Sequence, residues 1–264
     1  MQKLEKLQKI LKELDSAVLA FSGGVDSSFL LKVAKDCLGN KILAVTANSA
    51  TYPKSELEFS RKLAGMLRAR HRVIKTAELG NKKFSANPVN RCYFCKQELF
   101  SRLKKIAKKE KLNFVIDASS ISDKDDFRPG AKAKKELGVR SPLEEAGFTK
   151  ADIRNFSKRI GLSTWDKPAA ACLASRIPYG RQISPQILKR INQAEDFLRQ
   201  LGVKQVRVRH HENFCRIETL PQEIPLLISR RKLVVKKLKQ LGYNYITLDL
   251  EGYRTGSLNE EIRI

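Results

Sequence analysis

Short apolar runs alternate with amphipathic segments through residues 1–180 of this 264-residue chain. The runs typical of buried strands lie at residues 17–21, 42–47, 72–75 and 114–118. The segments with apolar residues at helical spacing lie at residues 27–38, 55–67 and 96–109. Thr149 and Asp152 form a capping box, which predicts a further helix that ends at Gly161. Because parallel strands are joined through crossover helices, the alternation predicts an α/β fold with a doubly wound parallel sheet.

The pattern changes at residues 177–180, where a proline and a glycine interrupt the chain. Ser184 and Pro185 then form a typical helix start, with serine as the N-cap and proline in the first turn. We therefore place a first domain at residues 1–180 and a second at residues 181–264. The helix, strand, strand, helix and strand predicted in the second lie at residues 185–200, 205–209, 214–218, 221–241 and 245–250. This order predicts a small α+β domain.

Basic residues outnumber acidic ones by 52 to 28, which gives a formal net charge of +24 at pH 7. An excess of this size predicts anionic partners such as nucleotides, phosphates or RNA. No apolar run approaches the roughly 20 residues that a membrane-spanning helix needs. The N-terminal residues 1–14 form a charged amphipathic pattern rather than a signal peptide. We therefore expect a cytoplasmic protein with no membrane attachment.

The first predicted strand leads directly into residues 22–27, with the sequence SGGVDS, and a helix begins at once. Two glycines let the backbone turn tightly around an anion, and the helix N-terminus supplies N–H donors and positive potential. Asp26 would repel a phosphate unless a divalent cation such as Mg²⁺ lies between them. No Gly-Lys-Ser/Thr follows, so this is not the P-loop of kinases and GTPases. The predicted polyphosphate site comprises Ser22, Gly23, Gly24, Asp26 and Ser27.

Five cysteines in a chain without an export signal favour metal or sulfur chemistry over a disulfide framework. Cys92 and Cys95 have the spacing at which two thiolates bind one metal centre from a single turn. Three interpretations remain open: a redox pair, a zinc site completed by Cys172 and a histidine, and an iron–sulfur cluster. Cys172 is flanked by Lys167 and Arg176, whose charges favour an anion. The two remaining cysteines are interpreted as packing residues.

Residues 22–27 resemble the SGGxDS motif of the PP-loop ATP pyrophosphatases, which split ATP into AMP and pyrophosphate. Three further stretches resemble the LarE family of ATP-dependent sulfur transferases within that group: residues 117–130, 161–180 (GLSTWDKPAAACLASRIPYG) and 206–218 (VRVRHHENFCRIE). The resemblance extends from about Ser16 to Glu260. It implies an enzyme that activates a carboxylate oxygen as an adenylate, so that sulfur can displace AMP.

The resemblance implies that ATP binds residues 22–27 and that Asp26 takes part in catalysis by orienting Mg²⁺. The end of the second strand, at Thr46 and Ala47, would hold the adenine through backbone contacts. The implied substrate is pyridinium-3,5-biscarboxylic acid mononucleotide. It would become its bis-thiocarboxylic form in the biosynthesis of the nickel-pincer nucleotide cofactor.

The cysteines would supply the sulfur. Members of the family that look like this chain carry three cysteines and use a [4Fe-4S] cluster as a renewable sulfide carrier. The matching ligands are Cys92, Cys95 and Cys172. Other members give up the sulfur of one cysteine, which matches Cys172, so its role as ligand or as sulfur donor stays open. The sulfide would come from free sulfide or from a desulfurase, and we expect a homo-oligomer.

Arg207 and Arg209 alternate along a predicted strand, so both guanidinium groups share one face. Forked donors suit a phosphate. The resemblance implies that these two arginines bind the substrate phosphate, and Arg176 is a third candidate for that contact. It also implies that Glu195 and Glu218 bind a metal or orient the substrate. Without the resemblance, the same residues would be interpreted as exposed surface charges.

Two other functions remain open. A tRNA thiolase of the PP-loop group also has a C-x-x-C pair and a later cysteine, and the net charge of +24 favours a nucleic-acid partner. Against it, the sequence lacks a recognisable RNA-binding module. The third interpretation is a non-enzymatic nucleotide-binding scaffold, and the intact loop around Asp26 argues against it.

Overall fold

The computed structural model describes residues 2–123, 129–168 and 171–262. Its contacts group the chain into two compact units. Unit 1 comprises Met1–Phe84 and Asn90–Ala170, and unit 2 comprises Ser85–Val89 and Ala171–Ile264. Residues 124–128, which belong to one of the stretches that resemble the LarE family, lie outside the described residues.

The division between the units comes after residue 170, earlier than the boundary that we predicted after residue 180. Two contacts hold residues 171–180 within unit 2. Arg176 donates to Glu195 through two nitrogens, at 2.8 and 3.0 Å. The Asn87 amide donates to the carbonyl of Ile177 at 3.2 Å. Both contacts join residues that are far apart in the sequence, so local patterns could not reveal them.

Unit 1 is built around β1 (Ala17–Ala20), β2 (Ile42–Asn48), β3 (Arg70–Lys75) and β4 (Phe114–Ile116). The helices up to residue 159 are α1 (Gln2–Leu14), α2 (Val25–Leu38), α3 (Lys54–Met66), α4 (Lys82–Ser85), α5 (Arg91–Glu110), α6 (Gly130–Glu136), α7 (Pro142–Glu145) and α8 (Lys150–Arg159). The strands lie in the order β3-β2-β1-β4, and every pairing is parallel. This confirms the predicted α/β fold with a parallel sheet.

The side chains of β1 alternate between two hydrophobic cores. Ala17 and Leu19 belong to the core that includes Phe29 of α2. Val18 belongs to the core that includes Phe100 of α5. Successive side chains of a strand point to opposite faces of its sheet. Helices therefore cover both faces, and the sheet is doubly wound as the sequence predicted.

Helix α8 begins at the predicted capping box, because Thr149 accepts from the Asp152 N–H and Asp152 accepts from the Thr149 N–H. Helix α5 begins at Arg91, whereas the sequence predicted a start at Lys96. Residues 92–95 have weak intrinsic helix propensity, but tertiary packing overrides it. Arg91 is buried. Helix α6 packs closely against the start of α5, since a Cβ on Gly130, the first residue of α6, would lie 2.9 Å from Lys96 Cγ. The C-x-x-C pair therefore lies inside the helix.

Unit 2 contains a sheet with the order β5 (Val206–His211), β6 (Phe214–Thr219) and β7 (Tyr245–Leu248). Strands β5 and β6 are antiparallel, and β6 and β7 are parallel. The helices are a 3-10 turn (Leu173–Arg176), α9 (Pro185–Gln200), α10 (Ile224–Ser229) and α11 (Arg231–Gln240). This arrangement confirms the small sheet-containing domain, and Cys215 packs in its core.

The helices of unit 2 match the sequence prediction unequally. Helix α9 has the predicted bounds, and Ser184 accepts from the Ile187 N–H at 3.2 Å as its N-cap. The single helix predicted over residues 221–241 is wrong, since the chain forms α10 and α11 with a break at Arg230. Pro225 lies in the first turn of α10, where its missing N–H needs no partner, so a helix begins there.

The described surface carries the basic excess of the chain. The lysines of the second half of α5 are exposed at positions 104, 105, 108 and 109. Within residues 2–123, 129–168 and 171–262, no helix has the length and apolar character required to cross a bilayer.

Candidate functional site

Residues 22–27, which we call the phosphate loop, follow the carboxyl end of β1 and include the first three residues of α2. Strand β1 lies between β2 and β4, so the chain proceeds outwards from β1 in one direction and later returns to its other side. In open parallel sheets, ligands bind outside the carboxyl ends of the strands at such a switch point. The fold therefore places the phosphate loop where α/β proteins bind nucleotides.

The hydroxyls of Ser22 and Ser27 take part in hydrogen bonds within the phosphate loop. The Gly24 N–H donates to Ser22 Oγ at 3.3 Å. Ser27 Oγ lies 3.1 Å from the same atom. The Ser22 side chain is exposed, so this point is open to solvent. Ser27 Oγ donates to the Gly24 carbonyl at 3.3 Å, so the Gly24 N–H is the donor directed at this open point.

Gly23 gives the phosphate loop its shape. Its φ is +68°, a backbone conformation that glycine adopts without a steric penalty. A Cβ at this position would lie 3.1 Å from both Cα and Cβ of Ser60 in α3. Backbone conformation and packing therefore both require glycine here.

Asp26 lies in the first turn of α2, at the positive end of the helix dipole. Its side chain is half-buried. Carboxylate oxygens are the hard ligands that Mg²⁺ prefers. This donor chemistry fits a divalent cation held between Asp26 and a phosphate on the loop.

Thr46 is buried and fixes the strand end that precedes the phosphate loop. Its hydroxyl donates to the carbonyl of Phe21 at 2.8 Å and lies 2.8 Å from Nε2 of His71. Because the hydroxyl has a single proton, Nε2 must be the donor in the second contact. Burial and the nearby Arg61 lower the pKa of His71, which agrees with a neutral ring. The side chain of Thr46 is thus occupied, and only its backbone is open to the predicted adenine contact.

The carboxyl end of β4 brings Asp117 to the other side of the switch point. Its carboxylate is buried and accepts hydrogen bonds from the hydroxyls of Ser119 at 2.7 Å and Ser141 at 2.5 Å. These bonds fix the connection that follows β4. Asp117 opens the 117–130 stretch, and the sequence alone gave it no separate role.

Cys92 and Cys95 both lie in the first turn of α5, three residues apart and therefore on one face. Cys92 is exposed and Cys95 is half-buried. The N-terminus of a helix carries partial positive charge, which favours anionic groups. The metal centre predicted from the spacing of this pair stays a prediction.

Cys172 belongs to unit 2 and is exposed. It directly precedes the 3-10 turn, and its carbonyl accepts from Nη1 of Arg176 at 3.0 Å and from the Ser175 hydroxyl at 2.7 Å. Across the three described ranges, no group of three or more His, Cys, Asp or Glu side chains is arranged to hold a metal ion. The cluster and the zinc site both stay predictions.

Unit 2 buries the arginines and glutamates that the sequence singled out. Arg176 donates to both carboxylate oxygens of Glu195, at 2.8 and 3.0 Å. Arg209 donates to both carboxylate oxygens of Glu218, at 2.9 and 2.7 Å. The two glutamates have no exposed surface. Arg176 and Arg209 are therefore each paired with a buried carboxylate.

The same cluster contains a third buried arginine. This residue, Arg207, donates to the carbonyl of Val206 at 2.9 Å and lies 5.3 Å from the ring centroid of Tyr253. Burial and the neighbouring Arg176 lower its pKa. Burial alone would raise the pKa of Glu195, but Arg176 holds it below the ordinary value.

Two side chains that the sequence did not connect with the phosphate loop donate to its carbonyl oxygens. The Tyr52 hydroxyl donates to Ser22, and the Lys167 ammonium donates to Gly23. Tyr52 follows β2, and residues that follow parallel strands lie at the same edge of the sheet. That rule could have identified Tyr52. Lys167 lies beyond α8, and no sequence signal connects it with the loop.

Residues 13–83 match the asparagine synthase family, whose members are PP-loop ATP pyrophosphatases. An uncharacterized protein of Synechocystis sp. is 45% identical over 259 residues, which cover 97% of both chains. A pyridinium-3,5-bisthiocarboxylic acid mononucleotide synthase of Lactiplantibacillus plantarum is 37% identical over 253 residues, 96% of this chain and 92% of that protein. An uncharacterized protein of Methanocaldococcus jannaschii is 29% identical over 258 residues, 97% of this chain and 98% of that protein.

The similarity to the Lactiplantibacillus plantarum protein covers both units. The match to the asparagine synthase family covers the phosphate loop and strand β2, which follows it. Similarity of this extent and degree confirms the resemblance seen in the sequence. The chain belongs to the LarE family of ATP-dependent sulfur transferases, within the PP-loop ATP pyrophosphatases.

Proposed function

We propose that this enzyme adenylates a carboxylate of pyridinium-3,5-biscarboxylic acid mononucleotide and replaces the activated oxygen with sulfur. The observation that carries the proposal is the phosphate loop, whose Gly24 N–H is directed at the exposed Ser22 Oγ at the switch point of the sheet. The substrate is inferred from the name of the Lactiplantibacillus plantarum relative. A related carboxylate would meet the same chemical requirements.

ATP would bind with its phosphates on the loop and its adenine over the end of β2. Strand β1 pairs with β2 only as far as Val45, whereas Thr46 and Ala47 continue to pair with β3. Among the described residues, no strand pairs with β2 beyond Val45 on the side of β1. The backbone of Thr46 and Ala47 would hold the adenine base there.

The reaction has two displacements. A carboxylate oxygen of the substrate attacks the α-phosphorus, and the bond to the bridging oxygen of the β-phosphate breaks, so pyrophosphate leaves. A sulfur nucleophile then attacks the acyl carbon, and the bond to AMP breaks, which gives a thiocarboxylate. Asp26 would hold Mg²⁺, which neutralises the charge that develops on the phosphates. The Gly24 N–H and the Ser27 hydroxyl would hold the phosphate oxygens in place.

The substrate phosphate would lie against the arginine cluster of unit 2. Arg207 is a candidate because it lies on β5 two residues before Arg209, and the family resemblance implies this contact. Arg176 and Arg209 already donate to Glu195 and Glu218, so they would reach a phosphate only with their remaining donors. The two glutamates would then orient arginines rather than bind a metal directly.

A [4Fe-4S] cluster would be bound by Cys92, Cys95 and Cys172. The first two share one face of the first turn of α5, and Cys92 and Cys172 are exposed, so the thiols fit the role of ligands. When bound, the cluster would supply a sulfide on its open iron. If Cys172 were instead the sulfur donor, one turnover would leave dehydroalanine at that position.

The central test of adenylation measures AMP and pyrophosphate release with the dicarboxylate mononucleotide, ATP, Mg²⁺ and sulfide under anaerobic conditions. The product should gain mass by exchange of oxygen for sulfur. Asp26→Asn should lower the rate by about a hundredfold or more, since a bound metal contributes several kcal/mol of charge stabilisation. The matched control is Asp36→Asn on the same helix, where an exposed aspartate pairs with Lys32. Equal rates for the two variants would contradict the proposal.

The sulfur route is tested by the metal content and the intact mass of the anaerobically purified protein. We expect about four irons per chain and their loss in Cys92→Ser. Cys37→Ser, which changes a cysteine of α2, should retain them. Stoichiometric zinc would contradict the cluster, and loss of the mass of hydrogen sulfide after one turnover would identify Cys172 as the donor.

The tRNA thiolase alternative is favoured by one observation, the net charge of +24 with exposed lysines on α5. It predicts tRNA binding that weakens steeply with salt. It also predicts that deletion of the gene removes a thionucleoside from tRNA. Turnover of the mononucleotide with unchanged tRNA would exclude it.

A further inference from the structure

The carbonyl oxygens of the phosphate loop are held from outside by two side chains. The Tyr52 hydroxyl donates to the carbonyl of Ser22. The Lys167 ammonium donates to the carbonyl of Gly23 at 3.2 Å. A loop that binds anions must direct its N–H groups at the ligand and keep its carbonyl oxygens away from it. The side chains of Tyr52 and Lys167 both hold carbonyl oxygens away from the ligand.

Each of these contacts also fixes one N–H direction. In a planar trans peptide, the C=O of one residue and the N–H of the next point in opposite directions. Tyr52 thus orients the N–H of Gly23, and Lys167 orients the N–H of Gly24. The Gly24 N–H is the one that donates to the exposed Ser22 Oγ.

The positive charge of Lys167 is compensated by a neighbouring carboxylate. Its ammonium is 2.7 Å from the Glu56 carboxylate and 3.6 Å from the ring centroid of Phe59. The side chains of Lys167 and Glu56 are only 16% and 20% exposed. Because the pair is neutral overall, its effect on a phosphate through charge alone is small. Orientation of the Gly23 carbonyl is the effect that remains.

Both positioning groups are themselves held. Arg154 donates to the carbonyl of Lys167 at 3.0 Å and to that of Trp165 at 2.7 Å, which fixes the turn after α8. Burial and the nearby Glu56 raise the pKa of Tyr52, so its hydroxyl stays protonated and able to donate. Thr51, next to Tyr52, donates to the buried Glu78 at 2.9 Å.

We propose that Tyr52 and Lys167 are positioning residues, which hold the two glycine peptides of the phosphate loop in the orientation that binds the phosphates of ATP. The inference rests on the proposed binding of ATP to this loop and adds two residues that need not touch the nucleotide. Without these two side chains, the Ser22–Gly23 and Gly23–Gly24 peptides can rotate and turn a carbonyl oxygen towards the phosphates.

The test measures the dissociation constant of Mg·ATP by calorimetry, without a second substrate, in the full-length protein. Lys167→Met should weaken binding about 10- to 100-fold, as expected for a bond from a charged donor, and Tyr52→Phe about 3- to 10-fold. Lys167→Arg keeps a cationic donor and should restore most of the affinity. Lys62→Met, which removes an exposed lysine of α3, is the matched control and should bind ATP as the parent protein does.

Three further readouts separate positioning from a merely structural role. The KM for ATP should rise in Lys167→Met and Tyr52→Phe while kcat at saturating ATP is retained. The melting temperature without nucleotide should stay close to that of the parent protein. The double variant should lose less affinity than the product of the single losses, because both contacts act on one loop.

Binding within twofold of the parent in both single variants would overturn the proposal, and so would an affinity loss that is matched by an equal loss of stability without nucleotide. Tyr52→Phe removes one oxygen atom and keeps the test open if Lys167→Met does not fold. Since only ATP binding is measured, failure of the mononucleotide as a substrate would contradict the proposed function and leave this inference standing.

Discussion

The phosphate loop of unit 1 and the arginine cluster of unit 2 were both predicted to bind phosphates, but they are built in opposite ways. In the loop, the groups directed at an anion are backbone N–H donors and serine hydroxyls, and the nearby Lys167 is neutralised by Glu56. In the cluster, the donors are guanidinium groups, two of which are paired with the buried Glu195 and Glu218.

The difference teaches that a cation can support either binding or folding, depending on the charges around it. A buried arginine without a carboxylate is costly, so part of the cluster is required for the stability of unit 2. The loop needs no buried charge, because its dipoles are fixed by the backbone. We therefore expect changes in the cluster to affect stability first, and changes in the loop to affect nucleotide binding first.

The largest effect should follow the removal of one charge from the cluster. Glu195→Gln leaves the buried Arg176 without a counter-charge, and the free energy of unfolding should fall by about 3–5 kcal/mol. Urea denaturation of the parent and the variant measures the difference. Glu212→Gln is the control, because Glu212 and its partner Arg181 are both exposed and such a pair contributes about 0–1 kcal/mol. Equal effects of the two changes would remove the distinction drawn above.

A smaller effect on the free energy of unfolding is expected from His210, an ionisable residue in the interior of unit 2. Folding suppresses the uptake of a proton by its ring. Burial and the nearby Arg190 lower the pKa of His210 to about 4. The unfolded chain binds this proton near pH 6.5, whereas the folded chain binds it only near pH 4. Stability contributed by the neutral ring is therefore complete above about pH 6.5 and is lost as the pH falls towards 4, by up to about 3 kcal/mol.

The pH dependence is checked by urea denaturation at several pH values between 7 and 4. His210→Gln should remove most of this slope, while His211→Gln on the same strand should retain it. An unchanged slope in His210→Gln would show that other groups cause the acid sensitivity of unit 2.

Much of the fold was predictable because it depends on local patterns. The alternation of strands and helices identified the doubly wound sheet, and Ser184 identified the start of α9. The differences came where distant contacts decide the outcome. Helix α5 begins earlier than predicted, where it packs against α6, and residues 171–180 group with unit 2 through Arg176 and Asn87.

The candidate site shows the same limit. The glycines and serines of the phosphate loop were predictable, because their function depends on adjacent residues. The pairing of Arg209 with Glu218 was not, since it depends on the register of β5 with β6. Lys167 reaches the loop only through the folded arrangement of the turn after α8. The sequence thus identified residues that are capable of binding or catalysis. It did not show which of them already form hydrogen bonds or ion pairs in the folded protein.

The smallest expected change in free energy concerns Gly23, where backbone conformation and packing both require glycine. Gly23→Ala should weaken Mg·ATP binding about 10- to 100-fold, because its φ of +68° is strained for alanine and the new Cβ would lie 3.1 Å from the Cα of Ser60. The loop must shift to relieve the contact, and the Gly24 N–H is then no longer directed at Ser22 Oγ. Calorimetry of Mg·ATP binding measures the loss.

The matched control is Gly39→Ala at the end of α2, where φ is also positive, at +57°, but a Cβ would meet no atom within 4 Å. Both variants should lose stability in urea from backbone strain, on the order of 1–3 kcal/mol. Only Gly23→Ala should lose affinity for ATP, because only Gly23 lies in the loop that directs the Gly24 N–H. If both variants lost stability and neither lost affinity, the phosphate loop would not be the site where ATP binds.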